Sequence, residues 1–245
     1  MSLGTAIIVQ IVPTAFTEAY FEPLTEMSQD VAKAGYLNLG SGNDTRISAA
    51  TGTSQLINAQ GGDDFVAIEA GNDFVFGGSG NDRISAGRGD DQLNGGSGND
   101  TLEGGANNDQ LSGGSGADQL WGGSGTDILR GGTGDDQLYG DHDGSATSQQ
   151  GNDTLDGGAG NDILSGGGGA DQLIGGFGKD TFKVETHLDL GMGHTDVIRD
   201  FSRAEGDLID LRAIDADLTR PGNQDFVFSN GPSTQAGRLW LGEAA

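Results

Sequence analysis

The chain has no cysteine, and only 12 of its 245 residues are lysine or arginine. Without cysteine there are no disulfides, no thiolate zinc sites and no cysteine nucleophile. The 12 basic side chains face 37 acidic ones, for a formal net charge of -25. A surface that negative repels phosphate backbones and anionic membranes, which excludes nucleic acid as a partner. Long apolar runs are missing too, so no membrane span is expected. Hydrophobic residues make up 33% and aromatics 6% of the chain. High charge with few large apolar groups is the composition of a disordered chain, unless something outside the chain neutralises it. The apolar stretch Ala6, Ile7, Ile8, Val9, Ile11 and Val12 is broken by Gln10 and has no basic residue before it. It does not read as a Sec signal peptide.

Catalytic motifs are also lacking. His142, His187 and His194 form no H-E-x-x-H pair, and neither a G-x-S-x-G elbow nor a Walker A loop occurs. The chain is therefore expected not to be an enzyme.

Glycine, at 47 residues, is abundant, and its placement is periodic. Aspartate recurs every nine residues at Asp64, Asp73, Asp82, Asp91, Asp100, Asp109, Asp118, Asp127 and Asp136, then at Asp153, Asp162, Asp171 and Asp180. Two residues after each stands an apolar side chain: Val66, Val75, Ile84, Leu93, Leu102, Leu111, Leu120, Leu129, Leu138, Leu155, Leu164, Leu173 and Phe182. Two residues before each stands glycine, with Asn107 the one exception. A Gly-Gly pair usually opens the unit, giving G-G-x-G-x-D-x-U-x with U apolar. The consensus is a known one: over residues 59–183 the chain resembles the RTX (haemolysin-type) calcium-binding repeat proteins. The resemblance implies an all-β fold, a parallel β-roll.

The physical reading runs alongside it. Six residues of each unit form a turn in which glycine supplies backbone angles closed to other residues. The last three, such as Gln92-Leu93-Asn94, form a short strand with its middle residue inward. Two units make a coil of 18 residues, and coils stack about 4.8 Å apart. One coil buries only two apolar side chains, so stability must come from stacking.

Stacking puts each aspartate over the one two units later, as Asp73 over Asp91. Such carboxylates repel and resist joint ionisation without a counterion. A calcium ion between turns removes the penalty, because it accepts carboxylate and carbonyl oxygens in flexible geometry. Magnesium is stricter, and zinc would want histidine or cysteine. A merely solubilising role does not explain why the position is never glutamate. All thirteen aspartates from Asp64 to Asp180 are thus candidate calcium ligands. Pairing each with the one two units on gives roughly nine ions, whose charge nearly cancels the excess of residues 59–183. The preceding Asn or Asp residues, such as Asn72, Asn81 and Asp90, read as turn formers rather than ligands.

At the edges the pattern decays. Gly42-Asn43-Asp44 resembles a repeat turn with its apolar residue, Ile47, one place late, and the unit with Gln55 and Ile57 has lost its aspartate. Pro23 to Gly35 reads as a short helix that could cover the open end. Asp136 and Asp153 lie 17 apart, so a loop is inserted near 140–147. Asp141-His142-Asp143-Gly144 starts like an EF-hand loop but lacks its later ligands. The expected organisation is an N-terminal segment (1–38), the roll (39–183) and a C-terminal β cap (184–245).

In that cap, Thr195–Phe201 and Gly206–Leu211 resemble the segment that follows the repeats in serralysin-type secreted proteases and related lipases. Val197-Ile198 and Leu208-Ile209 suit short strands that close the roll. The resemblance implies calcium-induced folding and export through a type I exporter to the extracellular space, although the ending Leu241-Gly242-Glu243-Ala244-Ala245 departs from that family's usual acidic and apolar terminus. Two other readings stay open. One is a polysaccharide-associated accessory module like those beside mannuronan epimerases, for which Arg199, Arg203, Arg212, Arg220 and Arg238 could supply a basic face. The other is an adhesin or surface-layer fragment.

Overall fold

The computed structural model describes residues 35–47, 52–141, 151–184, 196–210, 225–228 and 237–240. The expected helix at Pro23–Gly35 lies outside them, apart from Gly35, which begins a strand. Among the described residues no helix is long and apolar enough to cross a membrane.

The chain alternates between two parallel nine-stranded sheets. One sheet contains β1 (Gly35–Asn38), β3 (Gln55–Asn58), β5 (Phe74–Ser79), β7 (Gln92–Ser97), β9 (Gln110–Ser115), β11 (Ile128–Thr133), β13 (Thr154–Ala159), β15 (Gln172–Phe177) and β17 (Val197–Ile198). The other contains β2 (Thr45–Ile47), β4 (Phe65–Ala67), β6 (Arg83–Arg88), β8 (Thr101–Ala106), β10 (Gln119–Ser124), β12 (Gln137–Asp141), β14 (Ile163–Ser165), β16 (Thr181–Lys183) and β18 (Leu208–Asp210). Odd strands pair with odd and even with even, which is the parallel β-roll expected from an 18-residue coil. A separate antiparallel pair joins β19 (Asp225–Phe228) to β20 (Gly237–Trp240).

Most strands are longer than the three residues expected, because pairing resumes beyond the first glycine of each Gly-Gly pair. Between β7 and β9 the register runs Leu93 to Leu111 and Asn94 to Ser112, skips Gly95 and Gly113, then continues with Gly96 to Gly114 and Ser97 to Ser115. One glycine leaves the ladder on each strand at the same place, so the register is kept, and a Cβ on such a glycine, Gly77, would meet both Asp82 Oδ2 and the carbonyl oxygen of Gly95.

The inward side chains form one core between the sheets. Ile57, Val75, Leu93, Leu111, Leu129, Leu155 and Leu173 come from one sheet; Val66, Ile84, Leu102, Leu120, Leu138, Leu164 and Phe182 come from the other. None is more than 4% exposed. At the N-terminal end Ile57 takes the inward place although its unit has no aspartate. One strand earlier the late apolar residue does not shift the register: Arg46 stands opposite Val66, and Ile47 opposite Ala67. The inserted residues leave the ladder intact, since β11 pairs with β13 and β12 with β14 across the insertion.

Glycine at the turns is a geometric requirement. Gly98 has φ +122°, and a Cβ there would run into the carbonyl of Gly80 in the preceding coil. Asn107, the one non-glycine at this position, holds the same left-handed conformation at φ 90°. Asparagine is among the few side chains that tolerate it.

Candidate metal centre

Each repeat aspartate follows a turn and precedes a strand, so the stack sets all thirteen in columns along the roll. All are buried, none more than 3% exposed. Their two oxygens do different things. Oδ1 accepts a backbone N–H from the residue one coil earlier, at 2.7–3.0 Å. Asp64 donates to Asp82, Asp82 to Asp100, and Asp100 to Asp118. The ladder crosses the insertion, where the N–H of Asp127 donates to Asp153 and that of Asp136 to Asp162. At its start, the N–H of Gln55 donates to Asp73, and the N–H of Asp44 to Asp64. Asp44 is therefore in the column, with a buried Oδ2 of its own.

Oδ2, from Asp64 through Asp162 and again in Asp180, is buried without a hydrogen-bond partner. It faces the skipped glycine of its own turn. A Cβ built on Gly77 would fall against Asp82 Oδ2 and 2.7 Å from the carbonyl oxygen of Gly95 in the next coil. The same pairing of carboxylate and carbonyl recurs at Gly122 with Asp127 and Gly140, at Gly131 with Asp136 and Gly157, and at Gly157 with Asp162 and Gly175. Three units near the N-terminus carry Ala59, Ile68 and Ala86 at this place, all buried.

Burial makes these carboxyls weak acids. Desolvation raises Asp109 and Asp153 to about 9, against the opposing effect of the N–H bond each accepts. Neighbouring aspartates push the same way, Asp91 on Asp109 and Asp171 on Asp153. Asp91, Asp100 and Asp136 rise to about 7, and Asp73, Asp82, Asp127 and Asp162 to about 6. Asp64, Asp118 and Asp180 are also raised, by burial first. No basic side chain contributes to any of these shifts. An unpaired buried carboxylate is costly, and a buried polar atom without a partner forfeits its hydration outright.

The arrangement suits a hard cation. Among the described residues no three acidic or histidine side chains converge on one point. The donors are mixed instead, carboxylate oxygens with glycine carbonyls, all of them oxygen. That is the donor set calcium takes, and it offers zinc no nitrogen or sulfur.

The residues before the aspartates build a second, exposed ladder in the opposite sense. Here the earlier coil's side chain accepts: the N–H of Asn99 donates to Asn81 Oδ1, that of Ala117 to Asn99, and that of Asn108 to Asp90. They hold turns together, one coil to the next.

Two further members of the buried column escaped the sequence reading. The N–H of Asp171 donates to Asp196 Oδ1, and that of Asp180 to Asp207 Oδ1. Each is followed two residues on by an isoleucine, Ile198 and Ile209, packed against the core. The D-x-I signal was present, but the nine-residue spacing was not. Asp207 also ends the pattern, because its Oδ2 accepts the N–H of Ser202 at 2.6 Å. Asp200 closes the other turn by accepting the N–H groups of Gly175 and Gly176.

A comparison with the curated proteins finds none that matches. The RTX calcium-binding nonapeptide repeat model matches residues 56–75, 68–102, 85–120, 103–138, 121–143 and 148–182. Those matches cover the thirteen aspartates from Asp64 to Asp180 and the apolar residue two places after each, and together they span half of the chain, which therefore belongs to the family of RTX calcium-binding repeat proteins.

Proposed function

We propose that the aspartate columns hold calcium between successive turns, through Oδ2 and the glycine carbonyls beside it, and that this binding folds the roll. The observation that carries the reading is the row of buried Oδ2 atoms with neither a hydrogen bond nor a basic neighbour. Metal chemistry here is structural: the ion supplies the counter-charge, while the chain supplies oxygen donors and the ladder that spaces them. A site that exists only in the folded state makes binding free energy into folding free energy. The ligands are the thirteen aspartates from Asp64 to Asp180, and the expected load is about nine ions.

RTX repeat proteins are typically secreted, and the coupling suits that route. At low calcium, repulsion among acids keeps the repeats extended for passage through a type I exporter. Extracellular sites with affinities of about 10⁻⁴–10⁻³ M then fill outside the cell. Isothermal titration calorimetry of the full chain with calcium tests the ligand assignment. The reading expects several ions per chain and fewer after Asp100→Asn with Asp118→Asn. An unchanged stoichiometry in that double variant would remove these aspartates from the ligand set.

A further inference from the structure

We propose that Ala59, Ile68 and Ala86 divide the calcium array into two classes of site, in which Asp64, Asp73 and Asp91, the carboxylates five residues after them, take up calcium last. The inference rests on the reading above, that the Oδ2 atoms of the columns are ligands.

Each of the three stands at the place of the skipped glycine. Between β6 and β8 the register runs Ser85 to Glu103 and resumes at Gly87 to Gly105, so Ala86 is the counterpart of Gly104. Ile68 follows Ala67 as Ala86 follows Ser85, and Ala59 follows Asn58 as Gly77 follows Phe76. Backbone conformation does not demand glycine here. None of the skipped glycines from Gly77 to Gly175 has a positive φ, whereas the glycines that directly follow them do, as Gly78 at 110° and Gly105 at 117°.

Space demands it instead. At each skipped glycine the first atom that a Cβ would meet is Oδ2 of the aspartate of its turn. On Gly104 that Cβ would also lie 2.8 Å from Asp109 Cγ, nearer than real Cβ atoms come. On Gly157 it would lie 2.7 Å from the carbonyl oxygen of Gly175 in the next coil, and so beside both of the oxygens that a cation would bridge. Ala59, Ile68 and Ala86 bring a real side chain to that place. Asp64, Asp73 and Asp91 nevertheless keep a buried Oδ2 without a hydrogen-bond partner. They remain ligands, but with an apolar neighbour that must yield before an ion fits, and calcium affinity follows the rigidity of a site as well as its charge. What these coils gain is packing. Ile68 and Ala86 belong to the core cluster, and Ala59 is buried. Burial of apolar surface stabilises the folded state with or without calcium.

Calcium titrations of the full chain by calorimetry, with far-UV circular dichroism alongside, compare wild type with two opposite variants. Ala86→Gly opens a closed site, and Gly104→Ala closes its open counterpart. Ala106→Gly, at the third place of its unit, controls for backbone freedom. Wild type binds in a tight class followed by a weak one. Ala86→Gly moves stoichiometry from the weak class to the tight, Gly104→Ala moves it the other way, and Ala106→Gly matches wild type. The sign separates this from a merely structural role, because loss of a buried methyl would by itself only weaken folding and the binding coupled to it. A single class of sites in wild type, or an Ala86→Gly titration no tighter than those of wild type and Ala106→Gly, would overturn the inference and leave the array intact. No calcium uptake by wild type would instead overturn the reading on which it rests.

Discussion

The backbone N–H of Asp91 donates to Oδ1 of Asp109, 18 residues on, at 2.8 Å. One oxygen of the carboxylate thereby holds two coils together, and the other is left for a cation. Replacement of Asp109 can separate the two roles. Asp109→Asn keeps an acceptor and loses the charge, so the calcium midpoint should rise while the fold at saturating calcium survives. Asp109→Ala also strands the Asp91 N–H, which costs about 1–3 kcal/mol more. Thermal melts at saturating calcium should rank wild type above Asn and Asn above Ala.

The raised carboxyls fix the sign of the pH response. Their folded-state values, about 6 to 9 for most, lie above the unfolded value near 3.8. The roll therefore binds more protons than the unfolded chain across that window. In calcium-stripped buffer the stability contributed by these groups is fully present below about pH 4 and lost as pH rises through 6 to 9. Acidification from pH 8 to pH 4 should increase strand content without calcium, as read by circular dichroism. With calcium present, protons compete for the same oxygens, so the calcium midpoint should rise as pH falls.

The core predicts a sharp contrast between positions. Leu111 is 1% exposed in the inward column, and Leu111→Ala should cost about 2–5 kcal/mol in calcium. Leu208 is 50% exposed on β18, the edge strand of its sheet, and Leu208→Ala should fall within about 0.5 kcal/mol of wild type. Chemical denaturation at fixed calcium measures both.

Glycine should matter by place rather than by number. A Cβ on Gly113 would fall against the carboxyl group of Asp118, whereas a Cβ on Gly42 meets nothing within 4 Å. Gly113→Ala should lower the melting temperature and weaken calcium binding, and Gly42→Ala should do neither.

Asp207 should behave as an end cap. Both of its oxygens accept backbone N–H groups, from Asp180 and Ser202. Asp207→Ala should lower stability while leaving calorimetric calcium stoichiometry unchanged.

The sequence made the repeating part legible because every unit states two things at fixed phase, an inward apolar residue and an aspartate two places before it. That phase alone implied the coil and the stacked aspartates, while their burial shows only in the fold. Asp196 and Asp207 were lost because they lie 16 and 11 residues after the preceding column members, once the chain leaves its period. Only the backbone register of β17 and β18 returns them to the roll. Strand length was also underestimated, because Gly-Gly reads as turn chemistry, yet only the first glycine leaves the ladder. Arg46 shows the opposite effect, where register between neighbouring strands overrides the local position of the apolar Ile47. The outer ladder from Asn81 to Asn99 depends on contacts 18 residues apart, which local turn preference does not encode.

The central claim is that these acids fold into the roll by taking up calcium. Far-UV circular dichroism of the full chain at pH 7.5 or so, in chelator and then in millimolar calcium, addresses it most directly. The account predicts a largely unstructured spectrum in chelator and a cooperative rise of β-structure as calcium is added. A β-rich spectrum that is the same in both would contradict it.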